Sequence, residues 1–449
     1  MHTSFLFKWT RLGLALLMVL LAVTPLIATH SVAVAAQPPG TGVVCTTGVS
    51  PNPTFNLTAG SGNIVLGDGN TMYMWSYSLT GGAFQYPGPV LCVNQGDTVT
   101  VILQNSLPEL TSLIFPGQEN VQANGALAQP DLVNNSLSNS VIPGGSVTYS
   151  FTAANPGTFI YESGTDPKKQ VGMGLASALI VRPTTLPTGG KDPDPAHYAY
   201  NRADSVFTPE EEFLAFLSEI DPYMHWAVQA GQPFNMNYYH PRYWLINGRG
   251  FPDSVADNYA SWLPYQPYGA LARIHPYDPN PYLPDNITPN PAFHPYPALQ
   301  RFVSVGTEDY PFHPHGDNGL VIGRDGHPLG DVGLADLSME KFAVNIGGGQ
   351  TWDSLFKWYD AEGYNETTNP VPVTIPEMVN QTIGMWYSGS PYLGVMGVMP
   401  PGVMTLNQCG EYYIISHNHA LYQLVAWDVT MAGPVTYMRI DPPLPNNCP

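Results

Sequence analysis

The segment IISHNHAL at residues 414–421 decides the fold, together with a similar segment, YPFHPHG, at residues 310–316. Each contains two histidines separated by one residue and flanked by apolar or aromatic residues. Side chains alternate between the two faces of a β-strand, so both imidazoles of each pair lie on one face. Two such strands side by side would present four histidines to one point. This pattern predicts a metal site.

The composition favours an all-β protein. Glycine (44) and proline (46) are each about a tenth of the chain, above average usage, while charged residues make up only 11%. Short runs rich in Val, Ile, Thr, Tyr and Phe lie between turn residues, which is typical of β-sandwiches. Four strands are predicted within a first sandwich at 37–184. They are Thr98–Leu103, Ser146–Phe151, Thr158–Tyr161 and Ala178–Val181.

Residues 185–239 differ in character and are predicted to connect two sandwiches. Residues 187–195 form a Pro/Gly/Asp linker. Thr208 is followed by Pro209, Glu210 and Glu211, which is the pattern of a capping box with proline at the first helical position. The connector is therefore expected to contain a short helix.

A second sandwich is predicted at 240–449, and it carries the two histidine motifs. Two long inserts enlarge it, at 265–297 and 361–404. The first is dense in Pro, Tyr and Asn and should run as extended loop. The fold class is thus expected to be tandem sandwiches with long loop inserts.

Residues 1–36 have the pattern of a secretory signal peptide. Lys8 and Arg11 precede an apolar run from Leu12 to Ile27, and the small residues 33–36 offer a cleavage site. Retention of this segment as a membrane anchor is the alternative. Either way the mature protein is expected to be secreted, periplasmic or at the cell surface.

The net charge of −19 argues against binding of nucleic acid or anionic membranes, because Lys and Arg number only 15. Four cysteines, Cys45, Cys92, Cys409 and Cys448, are an even number in a chain expected to be exported, so two disulfides are predicted. Proximity favours Cys45 with Cys92 and Cys409 with Cys448, but three pairings are compatible with the sequence.

The histidine motifs and several other segments resemble the multicopper oxidase family, and the resemblance covers nearly all of the chain after residue 36. It implies tandem cupredoxin-like Greek-key β-sandwiches. The other matching segments are Gly157–Tyr161, Gln170–Leu175, Ala178–Val181, Leu245–Arg249, Ile322–Gly326 and Gly348–Asp353.

The resemblance implies copper at the four motif histidines. Active members of the family hold a three-copper cluster with eight histidines in four His-x-His pairs. In this sequence His313 falls at the position of a type 2 ligand, and His315, His417 and His419 fall at type 3 positions. Four of the eight imidazoles are present, so a partial copper site is expected. Imidazole suits copper and zinc alike.

The family also holds a type 1 copper with a cysteine and two histidines. At the matching positions this sequence has Asn418, Gln423 and Tyr310. A blue-copper centre without a thiolate has no basis, so the type 1 copper is predicted to be absent.

The two His-x-His pairs of the family's first domain are also replaced, at 114–117 and 162–164. Glu162 stands at a former histidine position and is a candidate proton partner or metal ligand; a surface hydrogen bond is the alternative. Asp317 follows the first motif and is a candidate second proton partner or a residue that orients an imidazole. The alternative for Asp317 is a turn aspartate.

Two hypotheses about function follow. The first is a secreted copper-binding protein of multicopper oxidase type. It would perform oxidoreductase chemistry with electrons from an external donor or from a small reducing substrate. The second is a catalytically silent sandwich that acts as a structural or partner-binding module with vestigial histidines. Assembly into a homo-oligomer is compatible with both.

Overall fold

The structure is a computed structural model that describes residues 40–128, 145–315, 318–330, 335–358, 385–386, 397–398, 412–446 and 448. The predicted signal peptide at 1–36, Asp317, Cys409 and nearly all of the insert at 361–404 lie outside these residues. None of the helices in the described part of the chain combines the length and the apolar character needed to cross a bilayer.

Two sheets form the first sandwich. The described residues up to 182 form ten strands: β1 (Thr46–Thr47), β2 (Thr54–Val65), β3 (Thr71–Leu79), β4 (Leu91–Asn94), β5 (Thr98–Asn105), β6 (Gln122–Ala123), β7 (Ala126–Leu127), β8 (Ser146–Thr152), β9 (Gly157–Glu162) and β10 (Ala176–Arg182). One sheet has the order β3-β2-β5-β8-β6-β7, and the other has the order β1-β4-β10-β9. A short helix, α1 (Pro167–Gln170), lies between β9 and β10.

The core of the first sandwich follows from the alternation along each strand. In β5 the side chains of Val99, Val101 and Leu103 are buried, while Thr100 and Ile102 between them are more exposed. The valines and the leucine pack with Leu179 and Val181 of the facing sheet. Burying one such side chain contributes about 1.5–3 kcal/mol. All four predicted strands are confirmed, each one to three residues longer than expected.

The second sandwich contains the remaining strands. In the described residues after 211 they are β11 (Glu212–Ile220), β12 (Tyr243–Ile246), β13 (Ala272–Ile274), β14 (Ala298–Ser304), β15 (Tyr310–Pro314), β16 (Gly319–Arg324), β17 (His327–Pro328), β18 (Met339–Lys341), β19 (Val344–Ile346), β20 (Thr351–Phe356), β21 (Met385–Trp386), β22 (Gly397–Val398), β23 (Tyr412–Asn418), β24 (Val425–Ala426), β25 (Val429–Thr430) and β26 (Val435–Ile440). One sheet has the order β17-β16-β20-β14-β11-β12-β24-β25, with β18 paired to β16. The facing sheet has the order β13-β26-β23-β15-β19, and β21 pairs with β22.

Strand β11 lies inside the segment predicted to be a connector. Its Ala215 and Leu217 face the core of the second sandwich, while Leu214 and Phe216 pack on the first sandwich. Both faces of the strand are therefore buried, which explains its continuous apolar run. β11 pairs with β12 and with β14, so it is a central strand of its sheet.

The capping box predicted at Thr208 is wrong. The side chain of Thr208 makes no capping hydrogen bond, and Pro209–Glu211 forms a single 3-10 turn that leads directly into β11. The short helix of the connector is α2 (Pro222–Gln229), which begins after the strand. Its cap is Asp221, whose carboxylate accepts hydrogen bonds from the backbone amides of residues 223 and 224.

A buried polar cluster joins the two sandwiches. Arg301 of β14 and Arg182 of β10 both bind the carboxylate of Glu212, at 2.6 Å each. Burial alone would raise the pKa of Glu212, but the two guanidinium groups hold it below its usual range. Thr158 of β9 donates a hydrogen bond of 2.7 Å to Asp353 of β20. The two sandwiches therefore share a polar contact in addition to their apolar one.

The first described residues form a strap across both sandwiches. The amide of Val43 donates to the carbonyl of Glu212 at 2.9 Å, and the side chain of Asn258 donates to the carbonyl of Gly42 at 3.1 Å. Two residues later Cys45 is disulfide-bonded to Cys92, as the sequence favoured. Cys448 is also disulfide-bonded.

Candidate metal centre

The two histidine motifs lie on neighbouring strands of one sheet. β15 and β23 pair antiparallel, with His313 directly opposite His417 and Phe312 opposite Asn418. The pairing continues one residue beyond the end of β15, because the amide of His315 donates to the carbonyl of Ile415. It also continues one residue beyond the end of β23, because the amide of His419 donates to the carbonyl of Pro311. The motifs therefore meet side by side, as their period of two predicts.

This register brings the four imidazoles together. The ring centroids lie 4.6 Å apart for His313 and His315, 5.1 Å for His315 and His417, and 5.6 Å for His417 and His419. The closest pair of ring nitrogens is Nε2 of His315 and Nε2 of His417, which lie 3.1 Å apart. The four rings form one group at the end of the paired strands.

Backbone carbonyls fix the orientation of two of the rings. Nδ1 of His313 donates to the carbonyl of Phe342, and Nδ1 of His417 donates to the carbonyl of Asn418 at 2.8 Å. An imidazole that donates from Nδ1 keeps the lone pair on Nε2 available, which is the usual arrangement around a metal-binding histidine. His313 and His417 are therefore held in the tautomer that a metal site needs.

The electrostatic environment keeps the inner rings neutral. Burial, together with the three neighbouring imidazoles, lowers the pKa of His315 to about 4. Burial also lowers the pKa of His417 below its usual range. A neutral imidazole is the form that binds a metal. His419, by contrast, is exposed at the edge of the group.

The donor chemistry of this group fits copper, which imidazole nitrogens bind readily. Such bonds are about 2.0 Å long, so two nitrogens 3.1 Å apart can share one ion. In the described residues, however, no group of three or more His, Cys, Asp or Glu side chains is arranged to hold a metal ion. The four histidines are thus brought together, with two of their ring nitrogens close enough to share one ion.

The opposite face of β23 carries Asn418, which is fully buried. Its side-chain amide donates to Gln423, and Gln423 in turn donates to the carboxylate of Glu308 at 2.7 Å. The indole of Trp244 donates to the same carboxylate at 2.9 Å. Polar side chains therefore fill this face and bind one another.

Tyr310, the third residue at a type 1 position, belongs to a second network. Its hydroxyl donates to the buried carboxylate of Glu219, which also accepts a hydrogen bond of 2.7 Å from the hydroxyl of Thr307. Burial raises the pKa of Glu219 above its usual range, while these donors lower it in part. The hydroxyl of Tyr310 is thus hydrogen-bonded to a buried carboxylate.

Of the two candidate proton partners, the structure describes Glu162 alone. Asp317 lies outside the described residues. Glu162 ends β9 in the first sandwich, where it pairs with Ala176 and bridges to Ile114. Burial raises the pKa of Glu162 to about 7, but within the described residues it makes no hydrogen bond or ion pair with the four histidines. A role for Glu162 in this site stays a prediction.

Phe342 is a site residue that sequence reasoning missed. Its carbonyl accepts from His313, and its ring lies 5.3 Å from that imidazole and 6.3 Å from the imidazole of His419. The contact uses a backbone oxygen in an irregular segment between β18 and β19. No side-chain pattern signals such a contact.

Sequence comparison identifies relatives for part of the chain. The family model described as multicopper oxidase matches residues 68–185. A probable nitrite reductase-hydroxylamine oxidoreductase fusion protein from Kuenenia stuttgartiensis is 31% identical over 147 residues, which are 32% of this chain and 15% of that protein. The L-ascorbate oxidase of Cucurbita maxima is 31% identical over 187 residues, which are 40% of this chain and 28% of that protein. The chain thus aligns with less than a third of each curated relative.

Structural comparison extends the likeness to most of the chain. The crystal structure of blue copper oxidase from Nitrosomonas europaea superposes with a TM-score of 0.53 and 18% sequence identity, covering 87% of this chain and 86% of that one. At this level of identity the match concerns the fold, and it confirms the tandem cupredoxin-like architecture expected from the sequence. Residues 68–185 therefore form a domain of the multicopper oxidase family, a family that implies copper, within a chain that has the multicopper oxidase fold.

Proposed function

We propose that the protein binds copper through His313, His315, His417 and His419 and takes part in oxidoreductase chemistry. The observation that carries this proposal is the pairing of β15 with β23, which gathers the four rings. Bound copper would supply single-electron transfer. The chain's own contribution is to hold the imidazoles neutral and oriented, through the carbonyls of residues 342 and 418.

We further propose that this site works without a type 1 copper. Asn418, Gln423 and Tyr310 are buried and engaged in hydrogen bonds to carboxylates or to one another. None of them offers a thiolate, which a blue-copper centre requires. Electrons would therefore come from an external donor protein or from a small reducing substrate that reaches the histidines from solvent.

Export of the mature chain and its self-association belong to the same proposal. Residues 1–36 support cleavage by a signal peptidase, and the disulfide between Cys45 and Cys92 suits an oxidising compartment. Within a single chain, the described residues show no hydrogen bond or ion pair between Glu162 and the four histidines. If Glu162 moves protons at this site, a neighbouring copy in a homo-oligomer is one way to bring it there.

Metal analysis of the purified mature protein tests the proposal. After copper loading and removal of free metal, we expect stoichiometric copper with an electron paramagnetic resonance signal from bound Cu(II). The double variant His313→Ala with His417→Ala should lose this copper. His240→Ala with His327→Ala is the matched control, because both of these histidines are exposed and lie outside the group.

Absorption spectroscopy on the same samples tests the missing type 1 copper. We expect no intense thiolate-to-copper band under any loading condition. A strong blue band would overturn the assignment of Asn418 to the position of the thiolate.

The second candidate function is a catalytically silent binding or structural module. It is favoured by one observation, that no three donor side chains in the described residues are arranged around a common point. Absence of stoichiometric metal in the loaded protein, or copper that survives the double histidine variant, would favour this function over the first.

A further inference from the structure

We propose that a surface cavity of the second sandwich binds a small organic molecule that carries a carboxylate group. The cavity has a volume of about 390 Å³, within the range of small-molecule sites. It lies between the β16–β20 pair and the segment that contains β18 and β19. Its lining includes Asp309, Arg324, Met339, Lys341, Gln350 and Trp352.

The charge of the cavity is opposite to that of the protein. The chain has 34 acidic and 15 basic residues, yet the cavity lining holds Arg324 and Lys341 against Asp309 alone. Two cations in one small concavity of an acidic protein attract a negatively charged molecule. They also repel cationic ones, so the sign of the ligand's charge follows from the lining.

Arg324 is held so that one end of its guanidinium group is free. The group lies over the indole ring of Trp352, 4.9 Å from the ring centroid, because the two residues are cross-strand neighbours. Its Nε contacts the carboxylate of Asp325 at 3.2 Å. Within the described residues no protein group accepts from its two terminal nitrogens. Those nitrogens form a fork whose geometry matches a carboxylate.

Gln350 adds a donor of known orientation. Its side-chain oxygen accepts hydrogen bonds from the amide of Gly347 at 3.0 Å and from the indole of Trp352 at 3.1 Å. These two donors fix the orientation of the side-chain amide, because in the flipped orientation its NH₂ group would face two N–H groups. The NH₂ group of Gln350 has no acceptor among the described residues. It is therefore available to a ligand oxygen.

The remaining walls suit an apolar body of modest size. Met339 and Lys341 lie on the same face of β18, and both line the cavity. Ala343 and Val344 continue this wall. A ligand with a carboxylate at one end and a ring or short alkyl group at the other satisfies both parts of the lining.

Calorimetric titration of the metal-free mature protein tests the proposal, with benzoate as the probe and benzamide as its neutral counterpart. Because copper is absent, the result does not depend on the proposed metal site. We expect saturable binding of benzoate and none of benzamide. Phenyl phosphate, titrated in parallel, establishes whether the fork prefers a carboxylate; phosphate binding tighter than benzoate would overturn the assignment of the ligand class.

Three variants locate the binding. Arg324→Gln should weaken benzoate binding about tenfold or more, since a charge-assisted pair of hydrogen bonds is lost. Arg324→Lys, which keeps the charge but removes the fork, should weaken it as well. Lys341→Gln should weaken it about threefold. Lys191→Gln, an exposed lysine outside the cavity, makes the same change in charge and should leave binding unchanged.

Three results would overturn the proposal. The first is the absence of saturable benzoate binding to a protein whose circular dichroism shows it to be folded. The second is benzoate binding that is unaffected in Arg324→Gln and Lys341→Gln alike. The third is binding of benzamide as tight as that of benzoate. If Arg324→Gln fails to fold, the affinities of Lys341→Gln and Arg324→Lys for benzoate decide whether it binds in this cavity.

Discussion

The end of strand β23 has two faces with opposite character. One face presents His417 and His419, next to the histidines of β15, with two ring orientations fixed by backbone carbonyls and with one ring exposed. The other presents Ser416 and Asn418, fully enclosed beside Gln423. Alternation along a strand thus separates an open group of imidazoles from a closed polar interior by a single residue.

The difference between the two faces predicts which property a mutation on each face should change. Removing one member of a buried hydrogen-bonded pair lowers the free energy of unfolding, because the remaining polar group stays out of water without a partner. Imidazoles at a solvent edge contribute little to folding and are free to serve a ligand. Mutations on the closed face should therefore change stability, and mutations on the open face should change metal binding.

The largest effect is expected for Gln423→Leu on the closed face. This change removes the acceptor of the Asn418 amide and the donor to Glu308. The buried Asn418 and the half-buried Glu308 each lose a hydrogen bond, so the free energy of unfolding should fall by roughly 2–4 kcal/mol. Urea denaturation measures it. The double variant Asn418→Leu with Gln423→Leu should cost less than the sum of the two single changes; a loss below about 1 kcal/mol for Gln423→Leu would contradict a closed polar interior.

A pH-dependent effect is expected at Glu219. Burial raises the pKa of its carboxyl in the folded state. Stability associated with the protonated form is then fully present below the unfolded pKa of about 4.3 and is lost as pH rises through the folded pKa. Glu219→Gln cannot titrate, so its unfolding free energy relative to the wild type should increase as the pH rises above about 4.

Tyr310→Phe sharpens this test. The change removes a hydroxyl that donates to Glu219 and lowers the pKa of its carboxyl. The loss of stability with rising pH should therefore be greater in Tyr310→Phe than in the wild type. Equal pH profiles for wild type, Tyr310→Phe and Glu219→Gln would mean that this carboxylate is solvated.

A smaller effect of opposite sign is expected for Ser416→Ala. The hydroxyl oxygen of Ser416 is buried and has no hydrogen-bond partner in the part of the chain that the structure describes. Removing an unpartnered polar group should leave stability unchanged or raise it by up to about 1 kcal/mol. Urea denaturation of Ser416→Ala, Gln423→Leu and the wild type under the same conditions measures this change in the free energy of unfolding. A clear loss of stability would show that the closed face includes a partner for Ser416.

The smallest effect on stability is expected for His419→Gln on the open face. Because His419 is exposed, the unfolding free energy of the metal-free protein should change by less than about 0.5 kcal/mol. Its copper dissociation constant should rise about tenfold or more if the ring is a ligand. Unchanged copper affinity would remove His419 from the proposed site and leave the other three histidines.

The pairing of the histidine motifs was predictable because it depends on one property, the period of two in a strand. In each motif the two histidines are two residues apart, and this spacing is visible in the sequence. The tertiary contacts of the site have no comparable sequence pattern. The carbonyl of Phe342 that orients His313 belongs to an irregular segment, and a backbone oxygen leaves no trace in the residue type.

Strand β11 was hidden for a different reason. The residues before it, from Thr208 to Glu211, match the start of a helix, and that local preference predicted the wrong element. The following run is apolar on both faces because both sandwiches cover it. A strand that is buried on both sides loses the alternation by which strands are recognised in a sequence.

The strap at residues 40–45 bears on how the molecule can be divided. Its backbone binds β11 of the second sandwich, and its cysteine is joined to β4 of the first. A recombinant fragment cut between the sandwiches would leave one of these attachments without its counterpart, and it would also expose Glu212 and Arg301. The protein should therefore be expressed and engineered as one piece.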